Sequence, residues 1–213
     1  KVSAIFISHL HGDHCFGLLG LLSTFGMLGR TSRLKVFAPE CYAILFEQQM
    51  NFFMQGMTYE IEFVPVDTTQ QKVVYEDHSV TVETVPLRHR VPCCGYIFRE
   101  KPTLPHIRRD MIDYYGIPLS QINNIKNGAD WTTPEGDIVP NSRLVEPADA
   151  PRSYAYCSDT CYLPDLYERV KDVTVLYHES TYTSENEDRA KIYYHSTARQ
   201  AALVAQKAGA GRL

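Results

Sequence analysis

Three histidines and one aspartate are packed into the run His9-Leu10-His11-Gly12-Asp13-His14. Imidazole nitrogens and carboxylate oxygens are the donors that zinc and neighbouring first-row metals accept. Residues two apart in an extended segment point the same way, so His9 and His11 can grip one ion together. Gly12 lets the chain turn sharply, which leaves Asp13 and His14 free to face a second ion. The plain alternative is a chance histidine cluster on a loop. Its place argues against chance: an apolar run, Val2 to Ile7, leads into it, and a glycine-rich helical stretch follows.

Further downstream, His89 stands at the end of an alternating strand in Pro86-Leu-Arg-His89-Arg-Val-Pro-Cys-Cys-Gly-Tyr96. Asp159 stands in Tyr156-Cys-Ser-Asp159-Thr160, and two more polar runs follow, His178-Glu179-Ser180-Thr181 and His195-Ser196-Thr197. Taken one at a time, His89 could be a surface histidine, Asp159 and His195 could cap helices, and His178 is as easily structural as functional.

Together these runs resemble a known family. H-x-H-x-D-H after a hydrophobic strand is similar to the signature of the metallo-β-lactamase superfamily. The segments around His89, Asp159, His178-Glu179 and His195-Ser196-Thr197 resemble the later motifs of its ribonuclease Z branch. Ser158 stands where that family has Gly, and Ser180 where it has Ala. The resemblance implies an α+β fold, the αββα sandwich, truncated here at both ends: a metallo-β-lactamase core over 1–101 and 152–213, with a tRNA-binding arm inserted at 102–151. A Gly-Pro pair usual in bacterial arms is absent, and Ile117-Pro118-Leu119-Ser120 takes its place.

It also implies the chemistry. His9, His11, His89 and Asp159 would hold one ion; Asp13, His14 and a bridging Asp159 would hold the other, with a further histidine expected beyond Leu213. The ions expected are two zinc per subunit, with Mn2+ or another divalent metal as substitutes. Asp13 would orient or deprotonate the attacking water, His195 would protonate the leaving 3′ oxygen, and Glu179 would orient His195. The substrate implied is precursor tRNA, cut by a homodimer to release the 3′ trailer. Two rival readings remain. One is an enzyme of the same fold acting on a small ester, thioester or cyclic phosphodiester. The other is a non-catalytic RNA-binding protein with a degenerate site.

The elements needed to position these residues are legible in part. Strands are expected at 2–7, 34–38 (stopped by Pro39), 59–66, 72–75, 79–87, 95–99, 153–157 and 173–177. Helices are expected at 17–28, 40–54, 108–115 and 197–208, the last ended by Gly209. The stretch from Pro102 to Pro151 carries seven of the 12 prolines and shows no clear apolar period, so it reads as projecting or poorly ordered.

Composition narrows the setting. No apolar run is long enough for a membrane helix. The cysteines (six in all) form no C-x-x-C pair, which suits reduced thiols in a cytoplasmic protein. The net charge of −4 gives no general affinity for nucleic acid, so RNA would need local basic groups. Candidates are Arg30, Arg33 and Lys35; Arg88 and Arg90; Arg99 and Lys101; and Arg108 and Arg109.

Overall fold

The computed structural model describes residues Val2–Leu213. In chain order the first stretch forms β1 (Ala4–Phe6), α1 (Gly12–Cys15), α2 (Gly17–Met27), β2 (Leu34–Pro39), α3 (Ala43–Phe53), β3 (Ile61–Val66), β4 (Val73–Glu76), β5 (Val80–Pro86) and β6 (Cys94–Glu100). The middle forms β7 (His106–Ile107), α4 (Arg109–Tyr115), α5 (Leu119–Lys126), β8 (Trp131–Thr132), β9 (Ile138–Val139), α6 (Asn141–Leu144) and β10 (Val145–Glu146). The chain closes with β11 (Ser153–Cys157), α7 (Leu166–Arg169), β12 (Val175–His178), α8 (Glu187–Tyr193) and α9 (Ala198–Ala208). These elements divide into two compact units, Lys1–Arg99 with Ser153–Leu213, and Glu100–Arg152.

The larger unit holds two sheets. One is parallel, in the order β1-β2-β3; the other has five strands, in the order β12-β11-β6-β5-β4. Strand periodicity explains how they stack, because alternate side chains leave opposite faces. On β2, Leu34, Val36 and Ala38 join Leu18 and Leu22 of α2 and Phe46 of α3, whereas Phe37 turns the other way. Phe37 meets Phe6 of β1, Val82 of β5, and Cys94, Tyr96 and Phe98 of β6. On β6, Ile97 faces the opposite side and packs with Leu166 of α7 and Val204 of α9. The layers are therefore helix, sheet, sheet, helix: the αββα arrangement.

Phe6 is the hinge pin of the middle layer. Its ring stacks on Phe37 at 4.6 Å and meets Phe98 edge-on at 5.3 Å, while Tyr96 donates its hydroxyl hydrogen bond to the Ile7 carbonyl at 2.9 Å. That bond ties β1, which leads into the histidine run, directly to the second sheet. At the other end of the chain, Thr197 and Gln200 form a capping box that starts α9. Ala201, Val204, Ala205 and Ala208 bury one face of that helix, and Gly209 ends it in the left-handed region at φ 66°.

Several sequence expectations shift in detail. The strand at 2–7 is shorter, the helix at 40–54 opens with a 3-10 turn over Glu40–Tyr42, and Pro39 is the last residue of β2 rather than outside it. Pro39 is tolerated because it closes the strand, where one missing donor costs little. The larger correction concerns the stretch Pro102 to Pro151. Far from lacking order, the smaller unit has helices, two small antiparallel sheets and a buried cluster of Ile117, Ile125, Val139 and Leu144. Its apolar residues are drawn a few at a time from short elements and the turns between them, which is why no long period announced them. Among the described residues, no helix is long and apolar enough to cross a membrane.

The sheet packing leaves one glycine no alternative. A Cβ on Gly95 of β6 would lie 2.5 Å from the Tyr156 carbonyl oxygen of β11, whereas one on Gly20, exposed within α2, would meet nothing within 4 Å. Gly95→Ala is expected to cost about 1–3 kcal/mol, since backbone must move. Gly20→Ala is expected to stabilise by roughly 0.5–1 kcal/mol through helix propensity. Urea denaturation of the two variants should move the midpoint in opposite directions.

Candidate metal centre

Most residues of the site follow the end of a strand, Asp13 and His14 lie in a short helix, and His195 sits between two helices. His9 comes three residues after β1, and α1 begins at Gly12 with His11 as its N-cap in an extended conformation. His89 follows β5, Asp159 follows β11, Glu179 follows β12, and His195 lies between α8 and α9. Gly12 turns the chain into α1, which carries Asp13 and His14 back beside His9.

Four of these side chains converge. His9, His11, His89 and Asp159 present ligand atoms that all lie within 4.8 Å of one another. The facing atoms can be named. Asp159 Oδ2 is 3.8 Å from His9 Nε2 and 3.7 Å from His89 Nε2, and His89 Nε2 is 3.1 Å from His11 Nδ1. His14 Nε2 joins from the other side, 3.6 Å from the same Asp159 oxygen. Asp13 is the most open member: its side chain is 79% exposed, and its Oδ2 lies 3.4 Å from His14 Nε2. His11, Asp13, His14, His89 and Asp159 all line one recess, and His195 completes its wall.

The far nitrogens decide what the near ones can do. His89 Nδ1 lies 2.9 Å from the Tyr194 carbonyl, which can only accept, so Nδ1 carries the proton and Nε2 offers its lone pair inward. Tyr194 adopts φ 57°, a left-handed conformation costing roughly 1–2 kcal/mol, and it is this turn between α8 and α9 that aims the carbonyl. His9 Nδ1 hydrogen-bonds Ser8 Oγ at 3.0 Å, while its Nε2 is buried with no hydrogen-bond partner. A buried, unpaired nitrogen is costly unless something else satisfies it. Burial, helped by the nearby His14, pushes the His9 pKa down to about 4, and burial lowers that of His89 as well. Both rings are thus neutral at neutral pH, the form that binds metal. These donors fit a divalent cation: imidazoles kept neutral by burial, the His89 tautomer fixed by a carbonyl, one carboxylate, and an orphaned nitrogen at the gap.

The second polar group is built around Glu179. Its buried carboxylate accepts from the Thr160 N–H at 3.1 Å, from the Thr181 N–H at 2.9 Å and from the Thr181 hydroxyl at 2.8 Å. His195 Nδ1 lies 2.8 Å from Glu179 Oε1, so this nitrogen is the donor of the pair and Nε2 is left for the recess. The His195 ring lies 5.0 Å from that of His89. His178 does something different. It is buried, its Nδ1 donates to the Glu179 carbonyl at 2.7 Å, and its Nε2 has no hydrogen-bond partner; it shapes the bend after β12 rather than facing the recess.

The sequence reading missed the supports: Ser8 behind His9, the Tyr194 carbonyl behind His89, and Thr160, which donates to Glu179 while its carbonyl accepts from Ser196 Oγ at 2.8 Å. Small hydroxyl residues and backbone carbonyls carry no spacing signal. Ser8 and Thr160, each next to a ligand, were the ones open to suspicion. Arg90, Tyr182 and Tyr193, which also line the recess, were likewise not singled out as members of this site.

A family model described as Beta-lactamase superfamily domain matches residues 1–107. A ribonuclease Z of Bacteroides fragilis (strain YCH46) is 51% identical over 213 residues, which is 100% of this chain and 70% of that protein. A ribonuclease Z of Porphyromonas gingivalis (strain W83) is 46% identical over 209 residues, covering 98% of this chain and 69% of that one. Among solved structures, the short form of human tRNase Z superposes with a TM-score of 0.64 at 20% identity, covering 99% of this chain and 70% of that one. A long-form RNase Z from yeast gives 0.66 at 15% identity, covering 98% of this chain and 27% of that one. The fold is common to all of these, but the identity that runs the length of the chain is to the bacterial enzymes, and on that ground the chain belongs to the ribonuclease Z family of the beta-lactamase superfamily.

Proposed function

We propose that the recess hydrolyses the phosphodiester joining the 3′ trailer to a precursor tRNA. Membership of the ribonuclease Z family makes the chain a metal-dependent endoribonuclease acting on tRNA. The observation that carries the mechanism is that His195, held by Glu179, lines the same recess as His11, His89 and Asp159 of the converging cluster.

In this reading His9, His11, His89 and Asp159 hold one ion, and Asp13, His14 and the shared Asp159 reach a second; zinc is the metal we assign to both. Divalent ions in such a site supply Lewis acidity toward a phosphoryl oxygen and lower the pKa of water to about 7. The chain's own residues do the rest. Asp13, exposed at the mouth, orients the attacking water. Glu179, fixed by Thr160 and Thr181, keeps the His195 proton on Nδ1 when the ring is neutral. The protonated ring then presents a second N–H, on Nε2, to the departing 3′ oxygen. General acid catalysis of this kind is worth about 10²–10⁴ in rate.

Three features belong to the same reading. Residues 102–151 serve as the substrate-holding arm; their separate core and their lack of any member of the converging cluster support a role apart from the chemistry. Exposed Ile44, Phe52 and Phe53 on α3 support a homodimer. The free cysteines, none in a disulfide, support a cytoplasmic setting.

His195→Ala in the full-length enzyme is expected to keep its metal content while kcat falls by about 10²–10⁴. A substrate with a better leaving group should recover part of the loss, since a stable anion needs little protonation. Metal loss in step with activity loss would make His195 a ligand instead. Ser8→Ala removes the support behind His9 and is expected to weaken metal affinity about 10–100-fold, read by competition with a chelator. Deleting 102–151 should depress cleavage of precursor tRNA far more than hydrolysis of a small phosphodiester. Equal loss on both would count against an arm, and would favour the small-substrate hydrolase.

A further inference from the structure

Most of the basic groups that could have met RNA are already committed. Arg33 pairs with Glu60 and Glu62, Lys35 with Glu62, Arg99 with Glu83 and Arg108 with Asp110, while Arg30 donates to three backbone carbonyls. Arg88 and Arg90 differ. They flank His89 in sequence, neither guanidinium is paired with a carboxylate among the described residues, and each lies over a tyrosine of the turn before His195. Arg90 sits 4.7 Å from the Tyr193 ring centre and Arg88 5.7 Å from that of Tyr194.

The two arginines also face different spaces. Arg90 lines the recess of the converging ligands, about 390 Å³. Arg88 lines a second recess of about 470 Å³ with Tyr162, Lys191 and Gln200. His195 belongs to the walls of both. A strand whose 3′ oxygen takes a proton from His195 must put its phosphate on the ligand side and the nucleoside bearing that oxygen on the other. We propose that the Arg88–Tyr194 and Arg90–Tyr193 pairs are two posts that hold the RNA strand on either side of the scissile bond, making both arginines substrate-positioning residues; this rests on the tRNA-cleaving reading above.

The chemistry suits arginine in particular. Stacking occupies the flat face of a guanidinium and leaves its edge N–H groups for phosphate oxygens, and the ring holds the group in place before substrate arrives. Glu187 and Asp188 also line the second recess. Their charge disfavours a further phosphate there and suits the amino and hydroxyl groups of a nucleoside, so Arg88 engages a single phosphate at its edge. The posts also answer the charge problem, since a chain of net charge −4 needs local cations where RNA is to lie.

The test is cleavage of precursor tRNA by the metal-loaded full-length enzyme across a salt series. Arg88→Ala and Arg90→Ala should each raise KM about three- to tenfold and flatten the slope of log kcat/KM against log salt by roughly 0.7. Arg33→Ala, whose guanidinium is committed to Glu60 and Glu62, is the control and should leave the slope alone. Arg→Lys at either post should restore the slope but not the whole of KM, because the charge returns without the stacked fork. Losses on bis(p-nitrophenyl) phosphate should be smaller than on RNA. Should Arg88→Ala disturb His89 and shed metal, Arg88→Gln, which keeps most of the side chain and removes the charge, carries the test at that post with the same flattened slope expected. Unchanged slopes in both alanine variants, or equal losses on both substrates at full metal content, overturn the inference while leaving the tRNA reading intact. Wild-type enzyme that leaves precursor tRNA uncut overturns that reading and this inference with it.

Discussion

Asp159 Oδ2 stands 3.8, 3.6 and 3.7 Å from the Nε2 atoms of His9, His14 and His89, and no other single atom touches so much of the site. Imidazole lone pairs and a carboxylate pointed at one another attract nothing between them; they gain only if a cation fills the gap. Each neighbouring feature makes sense as a means of keeping those lone pairs inward. The Tyr194 carbonyl takes the proton of His89 Nδ1, Ser8 engages His9 Nδ1, and burial disfavours protonation of both rings. A protonated histidine here would repel the metal and undo the convergence.

The constraint reaches into the fold because the converging side chains come from both sheets. His9 and His11 follow β1 of the parallel sheet, whereas His89 and Asp159 follow β5 and β11 of the other. Their atoms meet only if the two sheets pack in one register. Phe6 against Phe37, Tyr96 and Phe98, and the Tyr96 hydroxyl on the Ile7 carbonyl, fix that register a few residues from His9. Gly95, which allows β6 to lie against the Tyr156 carbonyl, serves the same end. The dry core between the sheets and the polar site at their edge are therefore parts of one arrangement.

A second centre, Glu179, ties together three segments of the last third of the chain. It receives Thr160 from the Asp159 loop, Thr181 from its own bend and His195 from the link between α8 and α9. The Thr197–Gln200 capping box then begins α9 at once. The His195 ring is thus held by a carboxylate that also braces the loop of Asp159, so the positions of His195 and of the converging cluster are coupled.

The sequence alone determined the candidate ligand types and much of the architecture. His9, His11, Asp13 and His14 are neighbours along the chain, so local backbone geometry was enough to read them as donors. Alternating or apolar runs located most strands, since a side chain's face is set by its parity. What only the tertiary structure decided lies across sequence distance or in groups without a pattern. The meeting of Asp159 with His89, the carbonyl of Tyr194 behind His89, and the arginines over the rings of Tyr193 and Tyr194 join segments far apart. The packed core of Glu100–Arg152 was hidden because Ile125, Val139 and Leu144 come from separate short elements and Ile117 from the link between two helices. Periodicity reports a face only when one element supplies several of its residues; a core gathered singly from many turns has no period to read.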